Sequence, residues 1–401
     1  MTGTLQPGRE GPGDPAAGGA PGQVVVIGAG PAGLSCAGHL RRRGQDVLVL
    51  EKGDGAGAAW RGRYRALRLN SGRDFSAIPG SGFPRTAATF PTRDEVVDYL
   101  ESYRVRRDIP VRTRTEVTRL DPTGAGWRIS TGTGSLEAEQ VVVATGLLAT
   151  PVLPAALTGT DGGLPVVHSA DYVDGAPYLG RAVLVVGSGC SGMEIAHDLV
   201  AGGAEEVLLS VRTPPNILPR AVGGRPGDPV LLLLKRLPPR MADAPIRLLC
   251  RRTIGDLTAQ GLPAPAEGPF TRMQRSGDAG PAIVDPEVIA DLRAGRIRVV
   301  AAVTGVEGRS VRLGDGSTVD VDVVIAATGF RSGLEPLVGH LGLLDEQGLP
   351  RAPEGQPAAP GLWFVNFAMC AGLLRAAGRR GRRTARAVAA HRDVHREGEG
   401  A

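Results

Sequence analysis

Apolar residues fall along this chain in short unbroken runs separated by glycine. Val24-Val25-Val26-Ile27 is followed by Gly28-Ala29-Gly30-Pro31-Ala32-Gly33, by an apolar helical stretch to Leu40, by Gly44, and by a second run, Val47-Leu48-Val49-Leu50. Runs of strand length that are apolar at every position predict strands buried on both faces, so the segment reads strand, glycine-rich turn, helix, strand. The order returns far downstream, with Ala182 to Val186 as strand, Gly187-Ser188-Gly189-Cys190-Ser191-Gly192 as turn, Met193 to Val200 as helix and Val207 to Val211 as the next strand. Each unit also closes on a related segment, Val141-Val142-Val143-Ala144-Thr145-Gly146 in the first and Val323-Val324-Ile325-Ala326-Ala327-Thr328-Gly329 in the second. This duplication predicts an α/β protein with two Rossmann-like dinucleotide-binding domains, the second inserted in the first.

The expected boundaries are 23–150 plus 331–390 for the first domain and 165–330 for the second. Residues 1–22, rich in Gly, Pro and Ala, read as a disordered tail, and 391–401 as a flexible one. Thr92-x-x-Glu95 is a capping box that opens a helix running to about Arg107. Short runs around Val111, Val117 and Trp127 to Ile129 predict a small antiparallel layer, as do Val299 to Val303, Val311 to Leu313 and Val319 to Val321. The stretch from Pro229 to Leu262 is helical and apolar, broken at Pro238-Pro239, and reads as a lid or packing insert.

Composition narrows the class. The 401 residues are 42% hydrophobic and 22% charged, the range of ordinary folded domains. Aromatics are only 4%, too few for stacking platforms, and the net charge of +5 comes almost wholly from Arg spread along the chain, Lys occurring only at Lys52 and Lys235. Both features argue against a nucleic-acid surface. Cys36, Cys190, Cys250 and Cys370 form no close pair, which points to a reducing, cytoplasmic setting and gives neither a redox pair nor a metal knuckle. No segment is apolar for long enough to span a bilayer, so no integral membrane association is expected; oligomeric state is left open. His391 and His395 are spaced for one helix face but have no third ligand nearby, and no metal site is expected.

Two glycine-rich turns, each after an apolar strand and before a helix, point to two pyrophosphates. In each, Gly28 or Gly187 makes the tight turn, Gly30 or Gly189 lets backbone N–H groups approach the anion, and Gly33 or Gly192 lets helix and strand pack closely. The end of the second strand tells the nucleotides apart. Glu51 is a carboxylate placed to accept ribose hydroxyls, with Lys52 beside it. The equivalent position of the second unit is Ser210, with Arg212 two residues on, a pairing that suits a 2′-phosphate. FAD on the first turn and NADPH on the second is the economical pairing, with hydride passing between them. Thr145, Gly146, Thr328 and Gly329 are further candidate cofactor contacts.

These residues resemble the flavin-containing monooxygenases, most closely the branch of the plant YUCCA enzymes and their bacterial relatives. The resemblance runs from about Val24 to Arg386. It takes in both glycine turns, Trp60, Phe90-Pro91-Thr92, Ser191-Gly192-Met193-Glu194, Leu218-Pro219-Arg220 and Ala327-Thr328-Gly329-Phe330. His168 and Tyr172 match the family's pattern before the second domain, while Gly162 and Leu164 stand where it has Phe and Gly, and Cys190 replaces an Asn. The resemblance implies a cycle in which NADPH reduces FAD, the reduced flavin takes up dioxygen at C4a, and one oxygen atom passes to a small organic substrate, either an amine or sulfur nucleophile or a 2-oxo acid. It also implies that Asn70 lies near the flavin as the catalytic hydrogen-bonding residue, and that Trp60 and Arg61 touch the cofactor. His168 is expected to be structural. One rival, a flavin oxidoreductase without oxygenation, needs a Cys-x-x-Cys that is absent; the other is a non-catalytic flavin-binding accessory protein.

Overall fold

Two sheets, one for each glycine-rich turn, frame the molecule, the second wholly parallel and the first parallel except for one antiparallel edge strand. The computed structural model describes residues 22–158, 163–276, 280–368 and 373–399. All but the last residue of the expected N-terminal tail, Gly162 and Cys370 lie outside the described residues.

β1 (Val24–Ile27) leads through the first turn into α1 (Pro31–Arg41), and β2 (Val47–Leu50) pairs with it in parallel, Val24 opposite Val47. α2 (Arg93–Arg106) opens on the expected capping box, Thr92 Oγ1 accepting from the Glu95 N–H at 3.3 Å while the Glu95 carboxylate accepts from the Thr92 N–H at 2.8 Å. β3 (Val111–Arg112) pairs with β2 and β4 (Gln140–Val143) with β1, both in parallel. The chain then builds a second, wholly parallel sheet from β5 (Val166–His168), β6 (Ala182–Val186), β7 (Glu206–Ser210), β8 (Ile297–Val300) and β9 (Val323–Ala326), ordered β8-β7-β6-β9-β5. It returns with β10 (Pro357–Ala359) and β11 (Leu362–Phe364) to complete the first sheet, ordered β10-β11-β4-β1-β2-β3. Every residue of β1, β4 and β9 is buried, which is why these strands read as continuous apolar runs.

α3 (Cys190–Ala201) follows the second turn, α4 (Asp228–Leu234) and α5 (Pro239–Thr253) form the expected insert, and α6 (Pro286–Arg293) packs on α3. α7 (Leu373–Glu399) lies along α1, so close that a Cβ on Gly381 would stand 2.5 Å from the Ala32 carbonyl oxygen. Its helical backbone runs through residues 391–399, the stretch read from sequence as a tail. Ser35 donates to the Gly378 carbonyl at 2.8 Å, a helix-packing bond.

One expectation needs correction. Val111 and Val299 belong to the parallel sheets, in β3 and β8, and not to antiparallel layers. The antiparallel layers comprise Val117–Thr123, Gly126–Thr131 and Gly134–Ala138 in the first half, and Val303–Glu307, Ser310–Leu313 and Thr318–Asp320 in the second. A short edge strand shows its apolar residues to the sequence reader but not its partner, which tertiary packing selects.

Candidate active site

The two turns have the same internal geometry. Gly28 (φ +107°) and Gly187 (φ +116°) hold conformations that a residue with a side chain rarely adopts, and a Cβ on either would strike the carbonyl of Ala144 or Ala327 on the neighbouring strand. Cβ atoms on Gly33 and Gly192 would overlap the carbonyl oxygens of Gly28 and Gly187, so these two positions let helix and strand close up. Gly30 and Gly189 have nothing within 4 Å of where a Cβ would lie. That open space, directly in front of the N-termini of α1 and α3, is shaped for a pyrophosphate.

Glu51 is buried at the end of β2, where its two carboxylate oxygens accept from the N–H groups of Ala29 at 2.7 Å and Gly53 at 2.8 Å. It ties the turn to the following loop while keeping lone pairs for a ribose. Beyond it lies a 290 Å³ cavity lined by Asp54, Gly55, Ala56, Arg61, Glu101, Arg104, Val111 and Thr113. Arg61 lines this cavity in an ion pair with Asp54, and Lys52 is exposed. Trp60 is half-buried against the first core. On the second sheet Ser210 is turned inward, its hydroxyl donating to the Ala301 carbonyl at 2.9 Å. Arg212, two residues on, is exposed with no hydrogen bond or ion pair among the described residues.

Gly146 and Gly329 end the two closing segments with φ of +85° and +89°. Thr145 is exposed, and the Thr328 hydroxyl donates to the Val152 carbonyl. His168 holds the second of these turns: its Nε2–H donates to the Gly329 carbonyl at 3.1 Å, and Nδ1 accepts from the Ala170 N–H at 3.1 Å. Burial pushes its pKa below the ordinary histidine value, so the ring is neutral. The expected structural role is the one seen.

Asn70 brings the two halves together. Its side chain lies against Cys190, the first residue of α3, while its Oδ1 is buried with no hydrogen-bond partner. An orphaned amide oxygen beside the start of α3 is an acceptor that a bound cofactor can satisfy, and in this respect the residues fit a flavin–nicotinamide pair. Burial pushes the Cys190 thiol's pKa up, which favours its protonated form. Cys36, Cys190 and Cys250 are all free, so no disulfide relay is formed among the described residues.

A cluster that the motifs contained but sequence reasoning left without a role lies beside this junction. Tyr64 donates to Glu194 at 2.6 Å, and Arg220 is hydrogen-bonded to Glu194 and paired with Asp285 at 3.0 Å. Arg220 is 2% exposed and its guanidinium lies 5.9 Å from the Phe90 ring. Burial pushes the Glu194 carboxyl up to about 7, against the opposing pull of Arg220 and the Tyr64 hydroxyl. The signal was an acid and an arginine within otherwise apolar stretches, each needing a buried partner.

The family described as Pyridine nucleotide-disulphide oxidoreductase matches residues 25–216. The probable indole-3-pyruvate monooxygenase YUCCA3 of Arabidopsis thaliana is 33% identical over 358 residues, 86% of this chain and 81% of that protein. The indole-3-pyruvate monooxygenase YUCCA8 of Oryza sativa subsp. japonica is 34% identical over 342 residues, 82% of this chain and 80% of its own. The solved flavin-containing monooxygenase from Stenotrophomonas maltophilia superposes with a TM-score of 0.70 at 25% identity, covering 92% of this chain and 98% of that one. In fold alone, the chain also matches an OTEMO complex with FAD and NADP, with a TM-score of 0.70 at 17% identity over 93% of this chain and 84% of that one. The chain belongs to the flavin-containing monooxygenase family, on the branch that holds the YUCCA enzymes, and is an FAD- and NADPH-dependent monooxygenase.

Proposed function

We propose that the first turn holds FAD, the second NADPH, and that the substrate is a small 2-oxo acid oxygenated at the junction where Asn70 meets Cys190. The residue assignment rests on one observation above the others, the orphaned Asn70 oxygen beside Cys190 at the second turn, with both turns leaving room for a pyrophosphate. The substrate class rests on relatives 31–34% identical to the chain, whose names carry indole-3-pyruvate. The assignment gives residues 23–150 plus 331–390 to the FAD domain and 165–330 to the NADPH domain. The three free cysteines are in keeping with a cytoplasmic setting.

FAD, when bound, supplies the hydride acceptor and the activation of dioxygen. The chain supplies placement. The N-termini of α1 and α3 face the pyrophosphates, Glu51 accepts from the FAD ribose, and Arg212 takes the 2′-phosphate. Asn70 presents its oxygen to a donor on the bound cofactors and keeps the reacting pair in register. Neutral His168 keeps the Gly329 turn in place without adding charge beside the nicotinamide. Oxygenation at the keto carbon of a 2-oxo acid expels the carboxyl carbon as carbon dioxide and leaves a carboxylic acid one carbon shorter. Each turnover consumes one NADPH, one proton and one dioxygen, and releases water.

Incubation with NADPH, labelled dioxygen and a panel of aryl-substituted 2-oxo acids, amines and sulfides tests the reading by product mass. A shortened acid carrying one labelled oxygen is expected. Labelled N- or S-oxides with untouched 2-oxo acids would reject the substrate class.

Two substitutions test the placement. Arg212→Ala is expected to raise the KM for NADPH about 10-fold, or about 1.4 kcal/mol, with NADH use unchanged; equal losses with both coenzymes would remove Arg212 from the phosphate site. Asn70→Ala is expected to raise the hydrogen peroxide released per NADPH consumed by about 10-fold, because water enters where a fixed acceptor stood. Unchanged coupling would take Asn70 out of the oxygenation step.

A further inference from the structure

The insert carries an exposed apolar and basic surface. Most of the large apolar side chains exposed on this molecule lie on α4, α5 and the turn between them: Val230, Leu232, Leu233, Leu237, Met241 and Leu248. Leu233 is 63% exposed, Met241 60% and Leu248 52%. On α5, Ala242, Asp243 and Ile246 face the protein, whereas Met241, Ala244, Pro245 and Leu248, spaced three or four apart, make an outward stripe. Arg240, Arg247 and Arg251 line one edge of that stripe, Arg252 stands at its end, and Lys235 and Arg236 flank the apolar residues of α4.

None of these six cations makes a hydrogen bond or ion pair among the described residues. Of the acids on and just after these helices, Asp228 accepts from the Gly72 N–H at 2.9 Å, Asp243 is buried and spent on the N–H groups of Phe270 at 2.8 Å and Thr271 at 3.1 Å, and Asp256 is exposed past the end of α5, near Arg251. The face is thus apolar and strongly basic, six cations against the one exposed carboxylate of Asp256 at its end, and no described residue covers it.

We propose that this face of α4 and α5 docks on an anionic lipid surface, with the leucines and Met241 entering the headgroup boundary and the six cations meeting lipid phosphates. Charge decides the occupant. A second copy paired about a two-fold axis would set these cations against themselves, and a nucleic-acid backbone offers nothing to the apolar stripe. An interface that is apolar at its centre and negative in its surroundings matches both features. The attachment is peripheral, since among the described residues no helix is long and apolar enough to cross a membrane.

The test is co-sedimentation of the purified holoenzyme with vesicles of phosphatidylcholine alone and of phosphatidylcholine mixed with phosphatidylglycerol. Binding to the mixed vesicles only, weakened by salt, is expected. Leu233→Ser combined with Leu248→Ser, both on exposed positions, is expected to weaken it at least about 10-fold with unchanged circular dichroism and flavin content. A second variant, Arg240→Gln with Arg247→Gln and Arg251→Gln, is expected to lose the preference for phosphatidylglycerol. Equal binding to neutral vesicles, no binding to either, or a dimer in light scattering that the leucine substitutions dissociate would each overturn the proposal.

Discussion

Gly30→Val is expected to give a folded protein that is colourless. The backbone at Gly30 is extended (φ −80°, ψ −177°), which a β-branched residue adopts without strain, and its Cβ would meet nothing within 4 Å. The apoprotein therefore has no reason to unfold. The added methyl groups instead occupy the space reserved for the pyrophosphate, and FAD affinity should fall about 100-fold or more, about 2.7 kcal/mol. Gly33→Val, only three residues on, is expected to behave in the opposite way. Its Cβ would overlap the Gly28 carbonyl, a backbone atom that cannot move aside, and the cost of about 3 kcal/mol or more falls on the fold itself. Flavin absorbance and thermal melting, measured on both variants, separate the two. A yellow Gly30→Val protein would refute the proposed FAD site.

Arg220→Ala is expected to be the most damaging change outside the turns, with a loss of about 3–5 kcal/mol in chemical denaturation. The guanidinium is 2% exposed and answers two carboxylates, Glu194 and Asp285. Removing it strands Glu194 in a buried site with the Tyr64 hydroxyl as its remaining partner. The same cluster predicts how stability varies with pH. The Glu194 pKa of about 7 lies above its ordinary 4.5, so the folded protein keeps a proton that the unfolded chain has lost. The stabilisation from that proton is complete below about pH 4.5 and is lost as pH rises through about 7. Glu194→Gln is expected to flatten this decline, and a denaturation midpoint with the same pH profile in both proteins would show that the carboxyl titrates elsewhere.

The parts of the site that were legible in the sequence are those whose chemistry is local. A glycine at Gly28 or Gly187, where only a positive φ closes the turn, announces itself through spacing, as does the Thr92 and Glu95 pair that caps α2. The acid at the end of β2 could be placed for the same reason. Ser210 marks the limit of that reasoning: its place at the end of β7 follows from the repeat, but its hydroxyl turns inward to Ala301, a residue far along the chain. Trp60 likewise packs, half-buried, against the first core, a contact its position in the sequence does not disclose.

The sequence by itself determined two parallel-sheet units, the order in which the chain visits them, and the glycine-rich turn at the head of each, because strand burial and turn geometry are written in neighbouring residues. The tertiary structure alone decided that β3 and β8 join parallel sheets, that Asn70 reaches Cys190, and that Tyr64, Glu194, Arg220 and Asp285 share one buried cluster. Those partners are far apart in the chain, and a side chain's need for a partner is visible in sequence while the partner's identity is not. Which face of α4 and α5 stays uncovered was settled in the same way, since a leucine reads alike in a core and on a surface.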